Sequence, residues 1–159
     1  MDLESVRASI VGTYQGSGHG IYPTISDFDY SEQVIFELSP KGFITYAQTT
    51  KNMLDASPLH QERGYLRILA DYRVEFLIVQ PTGIAEISTG VLLQGDGFLD
   101  MSLDATGVMT SPSAKVVKGI GRSFRFSPNG LSYTLFMATE EADFQLHLEA
   151  TLAKVPGSR

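Results

Sequence analysis

Phe144-Gln145-Leu146-His147-Leu148-Glu149-Ala150-Thr151-Leu152 alternates without a break, and its reading decides the fold. Leu146, Leu148, Ala150 and Leu152 fall on one face, and Gln145, His147, Glu149 and Thr151 on the other, the period of two that a β-strand imposes. His147 therefore stands on a wall rather than in a loop. Two readings follow from the strand alone: the polar face meets solvent, or it lines the inside of a barrel with His147 turned toward a ligand.

Working outward, similar segments recur at short intervals. Leu131 to Ala138 precedes this strand across Thr139 to Asp143, and Ala114 to Phe126 precedes that across the turn Ser127-Pro128-Asn129-Gly130. Further back lie Phe98 to Leu103, with a less regular region to Ser113, then Ile84 to Leu93, Val74 to Gln80, whose apolar run suits a strand covered on both faces, Leu59 to Leu69, Phe43 to Thr50, Gln33 to Leu38 and a glycine-rich strand from Gly12. Proline and glycine sit in the connections, as in Ser39-Pro40-Lys41-Gly42 and Gln94-Gly95-Asp96-Gly97, where tight turns need them. The count is about ten strands with short links, and no long helical pattern separates them. Serial short links favour antiparallel neighbours, and closure removes the exposed edges. An up-and-down antiparallel β-barrel is expected over residues 1–159 as one domain, with a β-sandwich as the other all-β solution. Leu3, Val6 and Ile10 have helical spacing, so a short N-terminal helix is expected to plug or cap the barrel.

Composition excludes several chemistries. The net charge of −6, with 12 scattered basic residues, argues against nucleic acid as a partner. The absence of cysteine removes disulfides, thiolate catalysis and c-type haem attachment. No run approaches the ~18 apolar residues of a membrane span, and Met1 to Arg7 lacks the basic and apolar parts of a secretory signal; a cytoplasmic protein is expected. Gly12 to Gly20 is not a phosphate loop, because Tyr22-Pro23 prevents the helix such a loop must open. Glu140, Glu141 and Asp143 read as a solvated turn.

Taken together the segments resemble the nitrobindins, a family of haem-binding β-barrels also described as peroxynitrite isomerases. The resemblance rests on Gly12-Thr13-Tyr14-Gln15-Gly16-Ser17-Gly18, Gly20-Ile21-Tyr22-Pro23-Thr24-Ile25, His60-Gln61-Glu62-Arg63-Gly64-Tyr65-Leu66-Arg67, Pro81-Thr82-Gly83-Ile84-Ala85-Glu86, Ala114-Lys115-Val116-Val117 and His147-Leu148-Glu149-Ala150-Thr151-Leu152. These blocks span nearly the whole chain in family order. The resemblance implies a ten-stranded barrel of fatty-acid-binding-protein type that holds ferric haem b, binds nitric oxide and converts peroxynitrite to nitrate. It implies that His147 is the iron ligand, that Thr24, Leu59, His60, Lys115 and Met137 line the haem site, with Lys115 near a propionate, and that His60 acts on the bound ligand. Two positions depart from the pattern: Tyr14 replaces a signature tryptophan, and Gln80 stands where the family usually has histidine.

Two other functions remain open on the sequence. One is a carrier of a small hydrophobic, fatty-acid-like ligand whose head group would meet Gln145, His147 and Glu149. The other is a barrel whose outward Leu146, Leu148 and Leu152 form a homodimer interface.

Overall fold

A computed structural model gives the architecture, and the structure describes residues 1–158. One helix, α1 (Leu3–Ile10), is followed by β1 (Gly12–Gly20), β2 (Phe28–Leu38), β3 (Ile44–Asn52), β4 (Pro58–Ile68), β5 (Arg73–Gln80), β6 (Ile84–Gln94), β7 (Leu99–Thr110), β8 (Val117–Ser127), β9 (Gly130–Thr139) and β10 (Gln145–Lys154). Every strand pairs antiparallel with its neighbour in sequence, and β1 closes the barrel against β10. The up-and-down barrel is the observed fold, and the sandwich is not. No helix among the described residues is long and apolar enough to cross a membrane.

Alternate residues of each strand point inward, and they divide the interior into two halves. At the α1 end Tyr14, Phe36, Phe76 and Phe126 are completely or almost completely buried. Their rings meet edge to face, as in Tyr14 with Phe36 at 6.2 Å and Phe36 with Phe126 at 5.5 Å, an arrangement the ring quadrupole favours. Helix α1 shuts this end. Asp2 caps it by accepting from the Ser5 N–H at 2.8 Å, and Val6 and Ile10 are wholly buried against the core; an eight-residue helix needs that packing to persist. The Tyr14 hydroxyl donates to the Ile10 carbonyl at 2.8 Å, so the tyrosine that replaces tryptophan is fully satisfied.

The other half is open. There β1 brings Gly18 inward, directly beneath the ring of Tyr30, where a Cβ would collide with the phenol. Gly18 and Gly20 thus make room for Tyr30 and Phe28 of β2, while Gly16 lets the β10 backbone at Thr151 and Leu152 come close. The pairing of β7 with β8 runs only from Leu99 opposite Phe126 to Asp104 opposite Gly121, and beyond it the two strands part to form a mouth. Irregularities cluster at this end: one extra residue each at Thr106, Lys118 and His147. Such bulges bend a strand and re-aim a side chain.

The bulge at His147 overturns the inside-outside assignment of β10. Leu148 pairs with Leu135, Ala150 with Tyr133 and Leu152 with Leu131, and Ala150 and Leu152 are buried in the core. Glu149 and Thr151 are exposed. Leu148, Ala150 and Leu152 therefore face inward, whereas Leu146, ahead of the bulge, pairs with the exposed Phe136. Glu149 and Thr151 belong instead to an open groove of about 910 Å³ on the outside of the barrel, shared with Ser17, His19 and Arg125. The expected homodimer face of Leu146, Leu148 and Leu152 does not exist as a set, because Leu148 and Leu152 point inward and only Leu146 points out, and Glu149 cannot meet a ligand inside. Two further differences are smaller. The irregular region before Ser113 is mostly strand, since β7 continues to Thr110, and Val79 of β5 is exposed, so that strand is covered on one face only.

Candidate functional site

The open half of the barrel holds a cavity of about 570 Å³, within the usual ~300–1,000 Å³ of small-molecule pockets. Its upper wall is apolar: Ile84, Val117, Ile120, Leu135, Met137 and Leu148 line it, and Val117, Ile120 and Leu135 form a buried cluster of their own. Its floor is polar.

His147 reaches this cavity because it is the extra residue of the β10 bulge. Its Nδ1 lies 2.7 Å from the carbonyl oxygen of Ile21, and the Ile21 N–H donates to the His147 carbonyl at 2.8 Å. A carbonyl only accepts, so Nδ1 carries the ring proton and Nε2 keeps its lone pair. Among the described residues Nε2 has no hydrogen-bond partner. Tyr22 packs its ring edge-on to the imidazole at 5.5 Å, and its hydroxyl is fixed by Thr139 at 3.0 Å. Burial pushes the His147 pKa below the ordinary histidine value, partly offset by the bond to Ile21, and the ring is neutral at physiological pH. A buried, neutral, oriented imidazole with one free nitrogen is the form that binds a metal centre.

The floor is built on Arg122, which is 2% exposed and bidentate to two carboxylates. Its Nε and one terminal nitrogen meet Glu86, both at 2.9 Å, and its terminal nitrogens meet Glu62 at 2.9 and 3.0 Å. Burial pushes the Glu62 carboxyl up, but Arg122 beside it and the bond from His60 hold it below the ordinary range. Glu62 also accepts from the Tyr46 hydroxyl at 3.0 Å and the Gln80 amide at 3.1 Å. Gln80, the second departure from the resemblance, is thereby a donor to the floor. His60 turns Nε2 toward Glu62 at 3.2 Å. Because a carboxylate cannot donate, that nitrogen carries the proton and the remaining one is an acceptor in the neutral ring.

The expected site residues are largely brought together. His147, His60, Leu59, Met137 and Lys115 all line the cavity. Lys115 stands at the mouth with its side chain 74% exposed, 4.0 Å from Glu141 and over the Tyr22 ring. Thr24 is not brought in. It is exposed on the rim turn, and its neighbours Tyr22 and Ile25 contribute to the wall instead. Sequence reading missed Tyr22 and the buried Glu62–Arg122–Glu86 cluster. His19, unexplained by sequence, is on the outer wall with Asp29 at 2.7 Å.

Residues 6–154 match the family described as THAP4-like, heme-binding beta-barrel domain. The chain belongs to this family. It is 42% identical over 147 residues to a protein named peroxynitrite isomerase from Nocardia farcinica, covering 92% of this chain and 88% of that one. It is 40% identical over 153 residues to peroxynitrite isomerase 2 of Mycobacterium marinum, covering 96% and 94%. The crystal structure of Rv2717c from M. tuberculosis superimposes with a TM-score of 0.91 at 36% identity, over 96% of both chains. The resemblance to the nitrobindins and the barrel fold it implied both hold.

The cavity suits the group that the family binds. It offers the His147 Nε2, without a partner among the described residues, a soft thioether at Met137, an apolar wall of porphyrin-compatible chemistry, and Lys115 at the mouth for an acidic substituent.

Proposed function

We propose that this protein holds ferric haem b in the open half of the barrel, binds nitric oxide there, and isomerises peroxynitrite to nitrate. The observation that carries this reading is His147 itself: a bulged, buried, neutral imidazole with Nδ1 tied to Ile21 and Nε2 free in the cavity. Such an Nδ1 bond to a carbonyl fixes ring orientation and raises the basicity of the other nitrogen. Family membership and the relatives' names support the chemistry.

In this reading His147 is the iron ligand, Met137, Ile120, Leu135 and Leu148 enclose the macrocycle, and Lys115 exchanges Glu141 for a propionate. The haem supplies a ferric electron-pair acceptor for a nitrogen-oxide anion. The apolar wall excludes water. His60, whose Nε2–H is committed to Glu62, receives a hydrogen bond through its other nitrogen and donates one only after that nitrogen is protonated. A fatty-acid carboxylate would meet Glu62 and Glu86 at the floor, which disfavours the carrier alternative.

Stopped-flow mixing of the hemin-loaded protein with peroxynitrite tests the activity. The expected result is decay that accelerates linearly with protein concentration and shifts the products from nitrite toward nitrate. Decay at the rate of buffer, with unchanged products, would remove the isomerase from this account.

A further inference from the structure

In and beneath the cavity floor there are more buried carboxyl groups than buried cations among the described residues. Glu62 and Glu86 share Arg122, but Glu32, a third carboxyl that is 5% exposed, makes no contact with any cation among the described residues. Its three bonds come from neutral groups. The Tyr133 hydroxyl lies 3.0 and 2.9 Å from its two oxygens, and the Gln48 amide nitrogen touches one of them. That nitrogen also donates to the Tyr133 hydroxyl at 3.2 Å, and Tyr30 joins Tyr133 at 3.0 Å.

The other end of the Gln48 carboxamide is anomalous. Its Oε1 is buried and has no donor among the described residues, although Gln48 is 3% exposed and forms part of the cavity wall. A buried acceptor without a partner carries its desolvation cost uncompensated, and that cost falls on the side chain that touches Glu32. A half-turn of the amide exchanges two nearly isosteric ends. With Glu32 ionised that turn gains nothing, because a carboxylate cannot donate to Oε1. With Glu32 protonated, its O–H donates to Oε1 and the acceptor is satisfied.

We propose that Glu32 and Gln48 form a proton-linked amide switch through which the cavity takes up a small anion together with one proton. The inference rests on the haem site proposed above, which supplies the anion's binding place. One proton from solvent adds to the Glu32 carboxylate, Gln48 turns, Oε1 accepts from the new O–H, and the anion enters a cavity that has one negative charge fewer beneath its floor. The charge of the floor plus ligand is unchanged by the combined event. With all three carboxylates ionised against Arg122 an entering anion is repelled, and the proton on Glu32 weakens that repulsion by one charge.

The groups that face Glu32 are consistent with this assignment. They are Tyr30 on β2, Gln48 and Tyr46 on β3, His60 and Glu62 on β4 and Tyr133 on β9, with Arg122 on β8 paired to Glu62 and not to Glu32. Burial pushes the Glu32 carboxyl up to about 7, opposed by the bonds from Gln48 and Tyr133, raised by Glu62 and lowered by His60. A carboxyl raised in this way is protonated below about pH 7 and ionised above it, so anion affinity is highest on the acid side.

Azide titration of the hemin-loaded protein between about pH 6 and 8, followed by absorption, is the test. The expected Kd for wild type is flat below about pH 7 and rises toward tenfold per pH unit above it, the slope of one linked proton. In Glu32→Gln, a mimic of the protonated state, the slope disappears and affinity stays high. A slope retained in Glu32→Gln but lost in His60→Gln would put the proton on His60 and overturn the proposal. Infrared spectroscopy of wild type is the second arm and needs no variant that folds: adding azide at pH 8 should bring up a carboxylic-acid C=O band. No such band would overturn the switch. If wild type takes up no hemin, the haem reading fails separately, and titration of the ligand-free protein then decides whether Glu32 holds a proton: no carboxylic-acid band near neutral pH refutes it.

Discussion

His147→Ala takes up no stoichiometric hemin and still folds as the parent barrel; this is the expected result of a hemin titration read by absorption, with circular dichroism as the control for folding. The loss is expected to be at least on the order of 100-fold in affinity, since even removal of a group that merely orients a metal ligand costs ~10–100-fold. Folding survives because the strand connection does not depend on the imidazole. The Ile21 N–H still donates to the main-chain carbonyl at position 147, and the removed side chain surrenders one hydrogen bond, that of Nδ1 to Ile21. A stability loss of ~1 kcal/mol is the scale for such a bond. Uptake retained with an unchanged spectrum would transfer the ligand role away from His147.

Arg122→Met has the largest expected effect on the fold. The guanidinium is the one cation between Glu62 and Glu86 among the described residues, and all three side chains are at most 2% exposed. Removing one partner of a buried ion cluster leaves uncompensated charge, and the loss is expected to be about 3–5 kcal/mol at neutral pH. The pH dependence follows from the sign of the shift. Arg122 holds the Glu62 carboxyl below its ordinary value, so wild type gains stability above the ordinary carboxylate pKa of ~4.3 and loses it as pH falls through the lower folded value. In the variant that gain is absent, and the gap to wild type should narrow on acidification. Urea unfolding at pH 7 and at pH 4 measures both; a loss below ~1 kcal/mol at pH 7, or a gap independent of pH, would show that the cluster contributes little.

Strand periodicity made the barrel legible, because each inward set such as Val34 with Phe36 or Leu131 with Tyr133 is local to one strand. Orientation of β10 was not legible. The alternation of Leu146 through Leu152 runs on in sequence past His147, whereas in space the bulge inserts His147 as an unpaired residue between Leu146 and Leu148. A bulge leaves no mark on a pattern of single letters, so the strand looked as if its histidine and its leucines had to face opposite ways. The buried cluster was hidden for a different reason. Arg122 meets Glu62 and Glu86 across sequence separations of 60 and 36 residues, and no local motif joins them. Each nevertheless occupies an inward phase: Glu62 with Gly64 and Leu66, Glu86 with Ile84 and Ser88, Arg122 with Ile120 and Phe124. A charged residue in phase with core residues is the signal that could have found them, since burial of that kind demands a partner. Thr24 sits in a turn, where no periodicity constrains direction, and the wall there is made by Tyr22 and Ile25 instead.

A crystal structure of the protein loaded with hemin is the decisive measurement. Iron is expected on His147 Nε2, with Nδ1 still donating to Ile21, the macrocycle against Met137 and Leu148, and Lys115 drawn from Glu141 toward a propionate. Iron on His60, or hemin in the outer groove beside His19 and Glu149 with the cavity left to another ligand, would contradict that assignment.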